Sequence, residues 1–342
     1  MQKVIDIRSD TKTRPTKAMY QAMLEAELGD EQHGEDPTVR KLQEMSAMKL
    51  GKEAGLFVSS GTMGNLVALM VHAQHGNSVI LESECHILNN ELGGVSAIAG
   101  LMTIRVKGNL GVPKLEDLEN AIIGEGRSFP TTKLICLENT HNAAGGTCIS
   151  PQQMKNIRTV ADKHGLKIHV DGARFFNAAV ALGVEPVEIA KDADSVQFCL
   201  SKGLGCPFGS VLVGSKEFID KARKKRQIIG GGMRQAGIMA AAGIVALEEM
   251  IDRLQEDHEN AKILAEGLIN LGMEVDMATV QTNMVYFNVP EEMIEPWELE
   301  EKLKESGVLI ETSEGRRIRV VTHKDVSKED ILEVIEKVKQ IS

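Results

Sequence analysis

The chain reads as an α/β protein with a mainly parallel sheet and helices on both faces, followed by a smaller α/β unit. Three observations predict this. Short apolar runs alternate with helical stretches through the first two thirds of the sequence, the pattern of repeated strand–helix units. After about residue 245 that alternation gives way to a long charged helix and a few further elements. The length, 342 residues, suffices for one large domain and a smaller one, each with its own core.

The elements follow in order. Residues 1–15 form an extended arm ending at Pro15. "PTKAMYQAMLEAEL" has apolar residues at helical spacing after a proline start. "GDEQHGEDPT" is a turn-rich loop, and "VRKLQEMSAMKLG" is a second amphipathic helix closed by glycine. The strand "AGLFVS" leads into the helix "MGNLVALMVHAQH", and "SVILES" and "KLICLEN" are the next strands. The helix "PQQMKNIRTVADKHG" precedes the strands "KIHVDG", "SVQFCLS" and "GSVLVG". "GIVALEEMIDRLQEDHENAKILAEGLINLG" reads as one long helix. The strands "MVYFNV" and "RIRVVT" and the helix "KEDILEVIEKVKQI" complete the smaller unit. The expected division is 1–245 for the arm and large domain and 246–342 for the small C-terminal domain.

Composition excludes several functions. A net charge of −10 argues against a nucleic-acid partner, whose phosphates need Lys and Arg. Aromatic residues are only 3%, which leaves few stacking platforms for bases. The one basic run, "KARKKR" at 221–226, reads as a solvated helix face or a subunit contact. Five cysteines at 85, 136, 148, 199 and 206 form no CxxC and suggest reduced thiols in a cytoplasmic protein. The N-terminus lacks the apolar core of a signal peptide, and no window reaches the ~18 apolar residues of a membrane span.

Three features carry chemistry. In "FVSSGTMGNLVAL" a strand runs through Ser60, Gly61 and Thr62 into a helix. The unpaired N–H groups and dipole of such a helix start suit a phosphate, although a simple capped helix has the same outline. In "HVDGARFFNA", Asp171 ends a strand, where α/β sheets place their ligands, and Arg174 follows three residues later. A helix cap would account for Asp171 alone. It would not account for Lys202, which ends the strand of "FCLSKGLG" thirty-one residues further on. A phosphate cup, a strand-end aspartate and a strand-end lysine together meet the needs of pyridoxal 5'-phosphate. That cofactor requires an amine for a Schiff base, a carboxylate on its ring nitrogen and an anion site. His86, in "SECHILNN", lies between these features and could stack on the ring, act as a base, or serve as a hydrogen-bonded loop histidine. "HAQH", with His72 and His75, has the spacing of a metal pair but no partner, and reads as helix surface. No metal is expected.

The segments "DIRSDTKTRPT", "GDEQHGEDPTV", "GKEAGLFVSSGTMGN", "LENTHNAAGG", "HVDGARFFNA", "FCLSKGLGCPFGSVLVG", "GGGMRQAG" and "IRVVTHKDV" resemble the low-specificity L-threonine aldolases, in order and at compatible spacing. The resemblance implies a fold-type I pyridoxal-phosphate enzyme with a seven-stranded sheet. It implies Lys202 as the Schiff-base lysine and Asp171 on the pyridinium nitrogen. Gly61, Thr62 and Ser201 would hold the phosphate, and Arg234 would reach it from a neighbouring subunit. His86 would stack on the ring. Ser9, Arg174 and Arg319 would hold the substrate carboxylate, with Arg174 also counted among the cofactor residues. The family's usual assembly is a tetramer built from dimers. The sequence departs from the family at Ser128, where members often have His, at His33 (often Tyr), at Asn90 (often aromatic) and at Gln227 (often Lys).

The implied activity is retro-aldol cleavage of L-threonine or L-allo-threonine to glycine and acetaldehyde. The cofactor residues serve transamination, racemisation and β-elimination equally well. A non-catalytic protein on a lapsed enzyme fold is the reading from a different class, and Lys202, Asp171 and Arg174 together speak against it.

Overall fold

The computed structural model describes residues 3–126, 128–312 and 315–341. Its centre is a seven-stranded sheet built from β1 (Ala54–Val58), β2 (Ser78–Glu82), β3 (Met102–Val106), β4 (Thr132–Glu138), β5 (Lys167–Asp171), β6 (Ser195–Cys199) and β7 (Ser210–Gly214). The spatial order is β1-β7-β6-β5-β4-β2-β3. Strand β7 runs antiparallel to both its neighbours, and the pairs among β2 to β6 are parallel. The sheet is buried on both faces because its strands alternate apolar residues between two cores. Phe57, Ile80, Val211 and Val213 point to one core; Leu56, Val58, Val79, Leu81 and Leu212 point to the other.

The helices α1 (Lys17–Glu25), α2 (Pro37–Lys49), α3 (Gly61–His72) and α4 (Pro151–Lys163) follow the sequence pattern closely; α5 (Phe175–Leu182), after Asp171, and α6 (Lys216–Ile228), which carries the basic run, join them. Pro37 and Pro151 start their helices, where a missing N–H costs nothing. Ser150 and Gln153 close a capping box at α4.

The long C-terminal helix is a correction. The structure divides it into α7 (Gly237–Glu249) and α8 (Leu254–Asn270). The break lets Met250 and Leu254 bury in the large core while α8 continues into a second one. That second core is formed by α8, β8 (Met284–Asn288), α9 (Pro296–Glu305), β10 (Arg317–Val321) and α10 (Lys328–Ile341), with β9 (Glu311–Thr312) paired antiparallel to β10 at its edge. The N-terminal arm belongs to it as well. Ile5 and Ile7 are buried there, and Ile5–Asp6 pairs in parallel with Val308–Leu309. Strand β3 is an element the sequence pattern missed. It lies at the sheet edge with Met102 exposed, so its apolar signal is weak.

The basic run also differs from expectation at its last residue. Arg226 is only 1% exposed. Its Nη2 meets Glu31 Oε2 at 2.6 Å and its Nη1 donates to the Phe57 carbonyl at 2.7 Å. Arg223 adds a 2.9 Å contact to Glu31 Oε1. The pair ties the 29–36 loop to the end of β1, from which α3 starts. Glu31→Ala strands a buried guanidinium, so urea denaturation is expected to show a loss of about 3–5 kcal/mol. A loss below about 1 kcal/mol would mean that water solvates the pair as it does at a surface.

Candidate active site

Parallel register brings the ends of three strands abreast. Glu138 pairs with Asp171, and Asp171 with Gln197. Asp171 is buried, and its carboxylate is held by donors alone. Gln197 Nε2 and the Ala173 amide reach Oδ1 at 2.8 and 3.1 Å, and Asn65 Nδ2 reaches Oδ2 at 2.9 Å. Helix α3 supplies Asn65 from its buried face.

The start of α3 lies beside this carboxylate. Ser60 caps the helix by accepting from the Met63 amide, which leaves the amides of the first turn open. Gly61 is required by close packing. A Cβ there would lie 2.9 Å from Cys199 Sγ and 3.1 Å from Gln197 Nε2. Lys202 follows β6, half-buried, with its own carbonyl accepting from Thr13 Oγ1 at 2.9 Å.

His86 opens a short helix, His86–Asn89, after β2. Glu138 anchors that helix by accepting from the His86 amide at 2.7 Å. The ring Nδ1 sits 3.1 Å from Glu91 Oε1 and 4.0 Å from Asp171 Oδ2. Glu91's hydrogen bond, working against burial, pushes the His86 pKa above its ordinary value.

These residues line one cavity of about 220 Å³: Gly61, Thr62, His86, Asp171, Ser201 and Lys202 all border it. Asn65, Glu91, Gln197 and Cys199 join them, and the sequence reading missed all four. Gln197 and Cys199 could have been suspected from their place at the end of an apolar strand. His86, Glu91 and Asp171 also bring one ligand atom each within 4.8 Å of one another, a spacing a metal could use. The donor set fits pyridoxal phosphate. A helix N-terminus, which suits an anion, stands at the start of α3, with an amine at Lys202 and a carboxylate whose protein partners are all donors.

The remaining expected residues lie elsewhere. Arg174 is buried but does not line this cavity. Its Nε and Nη2 clasp Asp10 at 2.7 and 2.8 Å, and its Nη1 is 3.5 Å from Asn142 Oδ1. Against the cost of burial, Arg174, Lys202 and Asn283 hold the Asp10 carboxyl well below the usual carboxylate range. Arg319 converges on the same Asn142 oxygen at 3.1 Å. Ser9 caps the short turn that carries Asp10 by accepting from the Thr11 amide. Arg174, Arg319 and the Ser9–Asp10 turn thus meet in one cluster. Arg234 is half exposed and pairs with Asp30 at 2.8 Å, away from this chain's cavity. Ser128, His33, Asn90 and Gln227 are exposed and do not border the cavity.

A sequence model of the beta-eliminating lyases matches residues 6–290. Low-specificity L-threonine aldolase 1 of Arabidopsis thaliana is 48% identical over 333 residues, covering 96% of this chain and 93% of that protein. The low specificity L-threonine aldolase of Escherichia coli strain K12 is 43% identical over 332 residues, covering 97% of each. A threonine aldolase structure from Leishmania major shares the fold, with a TM-score of 0.84 over 98% of this chain and 99% of that one at 19% identity. With its length matched almost end to end, the chain belongs to the beta-eliminating lyase family, among the low-specificity L-threonine aldolases.

Proposed function

We propose that the chain is a pyridoxal-phosphate-dependent aldolase that cleaves L-threonine or L-allo-threonine to glycine and acetaldehyde. The observation that carries this is the single cavity bordered by Lys202, Asp171, His86 and the start of α3, in a chain 48% identical to an L-threonine aldolase. When bound, the cofactor supplies an electron sink for the bond broken at the substrate Cα.

The chain's residues do the rest. Lys202 offers its Nζ as the covalent attachment point. The first-turn amides of α3, with Thr62 and Ser201, bind the phosphate. Asp171 accepts the ring N–H. Arg174 and Arg319 orient the substrate carboxylate, with Asn142 Oδ1 marking where their guanidinium groups converge. His86 has Nδ1 engaged by Glu91, which leaves Nε2 to take the proton of the β-hydroxyl as the Cα–Cβ bond breaks. Arg234 reaches a phosphate in a neighbouring subunit of a homotetramer, a role supported by its exposed position and its place in the "GGGMRQ" loop. A large and a small domain, divided near residue 245, are supported by the two separate apolar cores, with the arm's Ile5 and Ile7 packed in the small core and Met250 and Leu254 in the large one. A cytoplasmic setting is supported by the five cysteines, all of them free thiols; no helix among the described residues is long and apolar enough to cross a membrane.

Two outcomes are expected. Purified protein loaded with cofactor releases acetaldehyde and glycine in equal amounts from one or both threonine epimers, and Lys202→Ala releases none. A cofactor-bound wild type that releases neither product overturns the reading. Glu91→Gln removes the acceptor charge that raises the His86 pKa. Its His86 resonance, followed by NMR in the cofactor-free protein, should titrate at lower pH than in wild type. The acid limb of kcat/KM should move down with it, because a base must be deprotonated to act. A resonance that moves while the limb stays where it was would remove His86 from the role of base.

A further inference from the structure

Behind Asp171 a file of polar side chains runs along one face of the sheet, beneath α3, and leaves the cavity altogether. Asn65 Nδ2 donates to two carboxylates, Asp171 Oδ2 and Glu91 Oε1, each at 2.9 Å. Two acids on one nitrogen settle the orientation of the amide, so Oδ1 needs a donor on its other side. That donor is His169 Nε2 at 3.1 Å. A neutral imidazole with its hydrogen on Nε2 has a lone pair on Nδ1, and Ser195 Oγ lies there at 2.8 Å. Ser195 spends its hydrogen on His169 and can then accept only. His72 Nε2 stands 2.7 Å from Ser195 Oγ to give it one.

Each hydrogen bond therefore points toward Asp171, and the order of donors admits no reversal while both acids accept from Asn65. Asn65, His169 and Ser195 are fully buried. His72 was expected on the helix surface, but its ring packs 4.5 Å from the Phe218 ring and belongs to the file. Burial pushes the pKa of His169 down to about 4 and that of His72 to about 3, so both rings are neutral in ordinary buffer. A protonated His169 would put a hydrogen on Nδ1, and Ser195 would then accept there instead of donating, which reverses the file beyond it.

We propose that His169 is a positioning residue. It fixes the Asn65 amide, and through it aims the Asp171 lone pair at the cofactor ring nitrogen, with Ser195 and His72 setting its tautomer. The inference rests on the assignment of Asp171 to that nitrogen. None of the three residues behind Asn65 borders the cavity, so their effect reaches the ring only through hydrogen bonds.

The experiment compares cofactor-loaded wild type with His169→Leu, His169→Gln and Ser195→Ala. The readouts are the absorption spectrum of the bound cofactor, the rate at which cofactor is lost on dilution, and kcat and KM for L-threonine. His169→Leu strands the Asn65 oxygen, and a lost buried hydrogen bond of this kind is expected to lower kcat about 10- to 100-fold. KM should stay within about twofold, because the substrate carboxylate is held elsewhere. The absorption band should shift and the cofactor should leave faster. His169→Gln restores a donor amide at the same place and should recover most of the spectrum and turnover. Ser195→Ala removes one hydroxyl and should shift the spectrum the same way by less. Equal losses in the Leu and Gln variants would mean that the site needs only the ring's volume, and the proposal fails. If His169→Leu does not fold, Ser195→Ala decides, and an unaltered spectrum and cofactor off-rate there overturn it. The spectrum and off-rate are read without any aldol cleavage, so a wild type inactive on threonine sinks the proposed reaction and leaves this test standing.

Discussion

A carboxylate buried at the end of a central strand is the constraint around which the rest of this structure is arranged. Desolvating such a group is expensive unless donors replace the lost water. Asp171 receives them from three elements: the neighbouring strand through Gln197, the following turn through Ala173, and helix α3 through Asn65. Meeting all three requires the β4–β5–β6 register and the tight seat of α3 against β6. That seat is why Gly61 can have no side chain. The same packing that admits Asn65 sets the start of α3 on the cavity, so one packing solution places a helix N-terminus and a donor-held carboxylate side by side.

Several other buried ionisable groups are paired with one another rather than solvated. Glu31 faces Arg226, Asp10 faces Arg174, and His141 Nε2 meets Glu82 at 2.9 Å. Against burial, the His141 contact and the Glu84 and Gly108 amides hold the Glu82 pKa down to about 2. These pairs join segments remote in sequence: Asp10 and Arg174 are separated by 164 positions, Glu31 and Arg226 by 195. They set geometry that apolar packing alone would leave loose.

The fold was largely legible because the strands of the large sheet have apolar residues on both faces and the helices carry caps and proline starts. What escaped was governed by tertiary contact. Strand β3 carries Arg105 and an exposed Met102, so it has little apolar signal of its own. The α7–α8 break falls in "MIDR", which contains neither glycine nor proline. Only the choice between two cores explains it. Lys202, Asp171 and the Gly61–Thr62 turn could be found from the sequence because each ends a strand or starts a helix. Glu91 could not, because it stands in the polar turn "NNELGG", which gives no sign of what it faces, and Asn65 and His169 could not, because a polar residue inside an apolar run declares its burial but not its partners. His72 looked like surface for the same reason.

The N-terminal arm has an effect wider than its length. Ile5 and Ile7 are sunk in the second core, and the Val321 amide donates to the Ile7 carbonyl at 2.8 Å. Six residues on, Thr13 donates to the carbonyl of Lys202, while Asp10 holds Arg174. The arm is thus a short strap with one end in each core and its middle fastened to the residues that flank the cavity. A hinge opening of the two cores must stretch that strap or unfasten it. Any movement of the small core is therefore delivered first to the backbone carrying Lys202 and to the Arg174 guanidinium, the two places where it would be felt as chemistry.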